Sequence, residues 1–463
     1  MAQFILTFTL FCSLTYSLMT KSVTSQTSLD SSEQESVYRV LDSINSDIPW
    51  RTLFPDDLCI SAPHGVVCDY FSDTSASSAT SFTTHITELS FGFVSDYSPN
   101  PPCNANSTVD PSLLSPLSHL KKLFFYKCFT QTKIAFPDFS PLSFRNLEEL
   151  VFIENPALFG SLSGKLNNLT NLRRLILTGT SVYGTIPGGF SELVNLEQLT
   201  LSRNKFKGKI SANIFKNLIK LKLLDLSENG FQGIVPESIG NLTELLKIDL
   251  SFNEFSRKIP EIFKELKNLE FLDLSYNHFA NFGVPLFLRE MSSLKEVYLS
   301  GNFLGGRIPE IWENLGGVLG IGLSKTGLIG NIPASMGVHL RNVCYLRLDN
   351  NKLEGVVPET FGALEFVSEM NLENNILSGR VPFSSFFASK LGNKLKLEGN
   401  ADLCVDEGSI SAKSSSSLGQ LKLCRRTDIS KKFALLYGSS SPRLHAPYAL
   451  MCIGILFFFR NLF

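Results

Sequence analysis

The sequence predicts an α/β solenoid, a single stack of short coils that takes up most of the 463-residue chain. Three observations predict it. The stretch Lys220 to Thr243, KLKLLDLSENGFQGIVPESIGNLT, spaces Leu221, Leu224 and Leu226 three and then two apart, followed by Asn229, Phe231, Gly233, Pro236 and Ile239. That spacing fits neither a 3.6-residue helix nor a long alternating strand; it fits a short strand, a turn and a return segment. Secondly, the position of Asn229 recurs as Asn155, Thr180, Asn204, Asn253, Asn277, Asn302, Thr326, Asn351, Asn375 and Asn400, in steps of 24 or 25 residues. Thirdly, the return segments repeat Phe206, Phe215, Phe231, Phe255 and Phe263, where one ring per coil would stack to fill a core.

Each part of the unit has a reason. Leu224 and Leu226, two apart, point to one face of the strand. Asn229 sits where the chain turns, and its amide can bond backbone groups that would otherwise be buried unpaired. Gly233 and Pro236 supply freedom and stiffness for the next bend. One such leucine-rich repeat cannot bury its own apolar face, so it must stack, and about a dozen stand in phase. Two irregular turns lead the array, with Val94 and Cys128 at the asparagine position. Lys and Arg number 42 against 43 Asp and Glu, so nothing points to nucleic acid.

From the N-terminus, Phe4 to Leu18 is an apolar run too short to span a bilayer and is followed by small residues, which makes residues 1–25 a secretory signal. Secretion makes the cysteines readable as disulfides. Val37, Leu41 and Ile44 share one face of a short helix that ends near Asp47 and Pro49. Ser72 to Thr84 is low in complexity and reads as a solvated loop. Ile86 opens the first coil. The long step from Val94 to Cys128 carries Pro99, Pro101, Pro102 and Cys103, and its extra residues are expected to bulge outward. Cys103 pairing with Cys128 would pin that bulge; alternatively Cys128 only replaces the turn asparagine.

The segment from Trp50 through Asp56-Asp57-Leu58-Cys59 to Gly65-Val66-Val67-Cys68 resembles the N-terminal cap of plant extracellular leucine-rich repeat proteins. The later coils add Gly184-Thr185-Ile186-Pro187, Gly233-Ile234-Val235-Pro236, Gly306-Arg307-Ile308-Pro309, Gly330-Asn331-Ile332-Pro333, Gly355-Val356-Val357-Pro358 and Gly379-Arg380-Val381-Pro382. These resemble the L-x-G-x-I-P signature of the plant-specific subclass. That likeness implies a right-handed superhelix with a second short strand beside the main one. Departures at Ile210-Ser211 and at Ala280 to Pro285 are candidate kinks. Glu398 to Cys404, with Cys424 downstream, resembles the family's C-terminal cap. The resemblance implies bonds Cys59–Cys68 and Cys404–Cys424, and caps covering residues 26–85 and 401–424 around a solenoid at 86–400.

Asn106, Asn168 and Asn241 begin N-x-[ST] sequons, expected to carry glycans in a secreted chain. Beyond Cys424 comes a basic linker, 425–441, that ends in the small residues Ser439, Ser440 and Ser441, and then an apolar tail, 442–463. Small residues, spacer and tail match a GPI-attachment signal; a strained single span is the rival, and both hold the protein on the outer face of the plasma membrane without a cytoplasmic domain.

No catalytic constellation stands out, and no cofactor is implied. The six histidines are scattered without metal-ligand spacing. Gly320-Ile321-Gly322 has no third glycine opening a helix and falls on a strand. Asp225, Asp249 and Asp273, one repeat apart, read as a solvent-facing acidic ladder. What remains is surface. Between the two core leucines the series runs Phe124, Val151, Ile176, Thr200, Asp225, Asp249, Asp273, Tyr298, Gly322, Arg347 and Asn371. Phe124, Tyr126, Val151, Ile153 and Ile176 form an early apolar patch that either invites a partner or reflects strand preference alone. Phe271, Tyr298, Tyr345 and Arg347 are residue types enriched at binding hot spots, with Gly320 and Gly322 leaving a bare dip among them. Cys344 is the odd thiol once Cys12 and Cys452 are assigned to signal and tail.

The ends, the repeats, the expected anchor and the missing kinase make the chain similar to plant receptor-like proteins. Its irregular early coils are similar to the Too Many Mouths and Piriformospora indica-insensitive group. Membership implies a kinase-less co-receptor, active in development or in the response to a beneficial root fungus, that binds a peptide or protein ligand or the ectodomain of a receptor kinase. A wall-located inhibitor of a microbial polysaccharide-degrading enzyme is the alternative; it would need no anchor.

Overall fold

The computed structural model describes residues 28–61, 63, 65–73, 81–92, 101–140, 144–406, 418 and 421–424. The expected signal, the turn at Val94, the anchor candidates Ser439, Ser440 and Ser441, and the apolar tail lie outside them. Among the described residues no helix is long and apolar enough to cross a membrane.

The chain is a stack of coils. Each contributes one short strand to a 14-stranded sheet. Apart from the first pair, Val66–Asp73 against Ser81–Phe91, the strands are parallel and join in chain order, from Lys122–Tyr126 to Leu395–Lys396. The spaced leucines fill the space behind this sheet: Leu221, Leu224 and Leu226 are all 0% exposed. Phenylalanines of the return segments stack from coil to coil, with Phe206–Phe231, Phe231–Phe255 and Phe255–Phe279 ring centroids 5.9, 6.3 and 6.4 Å apart.

The asparagines form a buried column. Asn253 Nδ2 donates to the Leu226 carbonyl of the preceding coil at 2.9 Å and to Leu250 and Ser251 of its own coil. Its Oδ1 accepts the N–H of Phe231, 3.0 Å away in the preceding coil. Asn277, Asn302, Asn351, Asn375 and Asn400 repeat the arrangement. These bonds satisfy backbone groups where the strand has ended and no ladder remains. The residue before the asparagine takes the left-handed conformation, as in Glu228 (φ 51°), Phe252 (φ 52°) and Tyr276 (φ 53°); Gly179 and Gly301 fill the same place without steric cost.

The second short strand forms a seven-stranded sheet, from Ile134–Ala135 to His278–Phe279, and a five-stranded one, from Ile329–Asn331 to Lys422–Leu423. Between the two, the isolated bridges Ala280↔Phe303 and Arg307↔Ile329 stand in place of continuous strands. The break falls at the long turn at Ala280 to Pro285. The missing proline at Ile210-Ser211 causes none, since Lys205–Gly208 pairs on both sides.

The first helix, Ser31–Ile44, is capped by Asp30, which accepts from the Ser32 N–H at 2.8 Å, and buries Val37, Leu41 and Ile44. Two early expectations are corrected. Ser72, Asp73 and residues 81–84 are strand rather than solvated loop, because the antiparallel pair runs through them. The insertion around Cys103 does not bulge freely: Asn45 Nδ2 donates to the Pro102 carbonyl at 2.9 Å, and the Asn104 N–H bonds Ile44 O, so it lies against the helix end. Disulfides join Cys59 to Cys68, Cys103 to Cys128 and Cys404 to Cys424. Cys344, read as an odd thiol, is buried.

Candidate functional site

Parallel pairing in a fixed register sets one residue from each coil in line across the open face of the main sheet. The line runs Phe124, Val151, Ile176, Thr200, Asp225, Asp249, Asp273, Tyr298, Gly322, Arg347, Asn371. Two residues earlier in each strand a second line runs Lys122, Glu149, Arg174, Gln198, Leu223, Lys247, Phe271, Glu296, Gly320, Tyr345, Glu369. Phe271, Tyr298 and the pair Tyr345 and Arg347 therefore stand on three of four consecutive strands, with the glycines on the other, and at about 4.8 Å per strand they fall within about 15 Å. Phe124 and Tyr126 lie seven strands away from Tyr298, about 34 Å along the sheet, so the two candidate groups are separate.

The early patch is less exposed than its composition suggests. Val151 and Ile176 are each 1% exposed, which leaves Phe124, Tyr126 and Ile153 as half-buried remnants. Beside them the charges are matched: Lys122 meets Glu88 at 3.2 Å, and Arg174 reaches Glu149 at 3.2 Å and Gln198 at 3.1 Å. Lys127 adds a cation 5.0 Å over the Tyr126 ring.

The glycine dip is not bare, because Tyr298 fills it. A Cβ added at Gly320 would lie 2.6 Å from the Tyr298 hydroxyl, and one at Gly322 would lie 2.7 Å from its Cδ1. Only glycine at both places lets the ring lie down across the next strand. Its hydroxyl donates to Glu296 Oε2 at 2.7 Å, and burial, followed by the charge of Glu296, pushes the phenol pKa up. Phe271 tilts against Tyr298 at 5.9 Å on one side and takes the Lys247 ammonium over its ring at 5.0 Å. Beyond the glycines, Arg347 pairs with Glu369 at 2.9 Å and keeps half its side chain in solvent.

Next to this cluster the acidic ladder holds its register but is not the solvated stripe the sequence suggests. Asp225 is 5% exposed. Asp225 and Asp249 each accept from the N–H and hydroxyl of a serine two residues on, and Asp273 accepts from the Ser275 N–H. Desolvation, then the charges of Asp225 and Asp273, push Asp249 up to about 7. Desolvation likewise raises Asp273 and Glu296. Lys247 is the cation set among them. The wall therefore presents stacked carboxyl groups, with Asp249 raised to about 7, beside an aromatic cluster and an arginine. It has hydrogen-bonding and charged groups for recognition.

Profiles of the Leucine rich repeat family match residues 206–255, 219–279, 268–291, 293–315 and 342–364. The chain is a leucine-rich repeat solenoid similar to plant receptor-like proteins. It is 34% identical over 141 residues to the protein TOO MANY MOUTHS of Arabidopsis thaliana, which covers 30% of this chain and 26% of that protein. It is 32% identical over 152 residues to Piriformospora indica-insensitive protein 2 of Arabidopsis thaliana, covering 32% and 33%. Each match thus spans about a quarter to a third of the curated relative. Among solved structures, the leucine-rich repeat chain superposes on the plant peptide hormone receptor RGFR1 in complex with RGF2, with TM-score 0.54, 25% identity, and 64% and 49% of the two chains covered. A plant ice-binding protein shares the fold at TM-score 0.50 and 20% identity, with 86% and 99% covered. One solenoid thus serves unlike tasks, and the face of the sheet has to carry the functional argument.

Asn106, Asn168 and Asn241 are exposed; Asn106 Oδ1 accepts from the Thr132 hydroxyl at 3.2 Å, and Asn168 donates its amide to the Ser140 carbonyl. One cluster has no counterpart in sequence spacing: Glu33, His85 and His119 come together at the N-terminal end of the sheet.

Proposed function

We propose that this chain is a plant cell-surface receptor-like protein or co-receptor, and that the face built by Phe271, Tyr298, Tyr345 and Arg347 binds a peptide or the ectodomain of a receptor kinase. The observation that carries this is the packing of Tyr298 over paired glycines, next to a half-exposed arginine and the carboxyl groups of Asp249, Asp273 and Glu296, whose pKa burial raises. Aromatic anchors fixed by their neighbours lose little entropy on binding, and a flanking acidic row selects cationic or hydrogen-bonding partners. The likeness to receptor-like proteins and to a peptide hormone receptor supports the reading. Phe124 and Tyr126 belong to the proposal as a second, minor contact. So do glycans at Asn106, Asn168 and Asn241, and a lipid anchor near Ser439, Ser440 and Ser441 on the outer face of the plasma membrane. Such a protein signals by shifting a partner's equilibrium, which requires different contacts with the partner's two states.

The test is recovery of partners from plant membranes by full-length chain carrying Tyr298→Ala and Arg347→Ala, beside wild type. Loss of receptor kinases from the variant's eluate is expected. Equal recovery by both would remove the site. Phospholipase C release of the wild-type chain from membranes tests the anchor separately.

A further inference from the structure

The N-terminal helix, the strand Ser81–Phe91 and the turn before the strand Lys122–Tyr126 bring one ligand atom each of Glu33, His85 and His119 within 4.8 Å of one another. Glu33 is only 3% exposed, which is unusual for a carboxylate without a compensating partner. Its two oxygens have separate duties: Oε2 accepts the Ile86 N–H at 3.0 Å, and Oε1 faces His85 Nδ1 at 2.6 Å. The imidazoles of His85 and His119 stack with centroids 3.8 Å apart, and Phe71 packs on both at 5.6 and 4.5 Å. Lys121 also lies over Phe71 but is paired with Asp69 at 3.0 Å.

The remaining ring nitrogens are also placed. His85 Nε2 meets the Thr83 hydroxyl at 3.1 Å, and His119 Nδ1 meets the Ser118 hydroxyl at 3.1 Å. With both hydroxyls accepting, each neutral ring keeps its lone pair on the other nitrogen, His85 Nδ1 and His119 Nε2. Outer hydrogen bonds that fix the tautomer of a histidine are the usual support of a ligating imidazole. Two imidazole nitrogens and one carboxylate oxygen are a donor set suited to zinc, with a water in fourth place.

We propose that Glu33, His85 and His119 form a zinc site that clips the N-terminal helix to the first strands of the solenoid. The ion replaces the direct contact between Glu33 Oε1 and His85 Nδ1. Zinc bonds of about 2.0–2.2 Å set ligand atoms about 3.3 Å apart, so the Glu33–His85 pair opens by less than about 1 Å while His119 closes in. A metal here joins parts of the chain distant in sequence, and its binding free energy adds to the stability of that end of the stack.

The experiment uses the secreted full-length chain, stripped with a chelator and titrated with zinc alone by calorimetry, with cobalt(II) as a spectroscopic substitute. One zinc per chain, a rise in melting temperature and the visible bands of four-coordinate cobalt are expected. His119→Phe keeps the ring stack and removes a ligand; it should fold like wild type without metal and bind zinc at least about 10-fold more weakly. Glu33→Gln should do the same, and if it fails to fold, His119→Phe alone decides. The absence of saturable zinc binding in wild type, or equal binding by His119→Phe, would overturn the site.

Discussion

The two halves of the open sheet face use the same register for opposite ends. In the first half the lines of residues close on themselves: charges alternate in sign from Glu88 to Arg174, and Val151 and Ile176 are sealed. In the second half Asp225, Asp249 and Asp273 stack three of one sign in a row, and a tyrosine lies across two glycines. A first-half coil gains little by meeting a partner, because its groups are already matched. The second half keeps repulsion and partly desolvated polar groups that a partner could relieve. Regular backbone thus sets where side chains stand, and only their sequence along the line decides whether the face is settled or open.

The largest effect should come from the column that holds both halves in register. Asn277→Ala removes donors to Leu250, Leu274 and Ser275 and the acceptor for the Phe255 N–H, leaving them buried and unpaired. It should cost about 2–4 kcal/mol. Thr180→Ala in the first half, where the hydroxyl serves only Val182 N and Asn204, should cost about 1 kcal/mol. Chemical denaturation compares them; equal losses would mean that the column is not what fixes the register.

Next comes the acidic ladder. Folding raises the Asp249 pKa from 3.8 to about 7, so the folded chain holds that proton more tightly than the unfolded one. The ladder is most favourable at acid pH and loses stability as pH climbs between about 4 and 7. Asp249→Asn removes the charge but can keep its serine bonds. It should stabilise by about 2 kcal/mol at pH 7.5 and by almost nothing near pH 4.5. A melting temperature raised equally at both values would refute the ladder's repulsion.

Gly322→Ala should cost about 1–2 kcal/mol, because its Cβ would push the Tyr298 ring off the next strand. Tyrosine exposure to solvent, read by solvent-perturbation spectroscopy, should rise with it. The smallest change is expected in the first half: Arg174→Ala breaks a partly exposed pair with Glu149 and should cost under about 1 kcal/mol. A larger loss there would erase the contrast between the halves.

The strands, the asparagine column and the order of residues along the face were all readable from leucine spacing, because each follows from period and phase alone. Three things were not. Burial of Val151, Ile176 and Asp225 depends on how neighbouring long side chains lie, which spacing does not encode. The resting place of Tyr298 depends on its rotamer, although the two glycines opposite were a visible signal of something lying close. The Glu33, His85 and His119 group joins residues 52 and 34 positions apart, beyond any local motif. The left-handed turn residue was half legible: Gly179 and Gly301 mark it, while Phe252 and Tyr276 conceal it.

Each asparagine of the column serves the coil that comes before it as well as its own. Excision or duplication of a complete interval between two such residues therefore leaves every remaining amide beside a suitable carbonyl. Losing a residue between a strand and its asparagine does not, since that amide then falls out of reach and its neighbours are stranded; the return segments are looser, and their intervals already differ by one residue. The molecule can accordingly change its reach in increments of 24 or 25 residues while staying intolerant of deletions in the stretch from strand to asparagine.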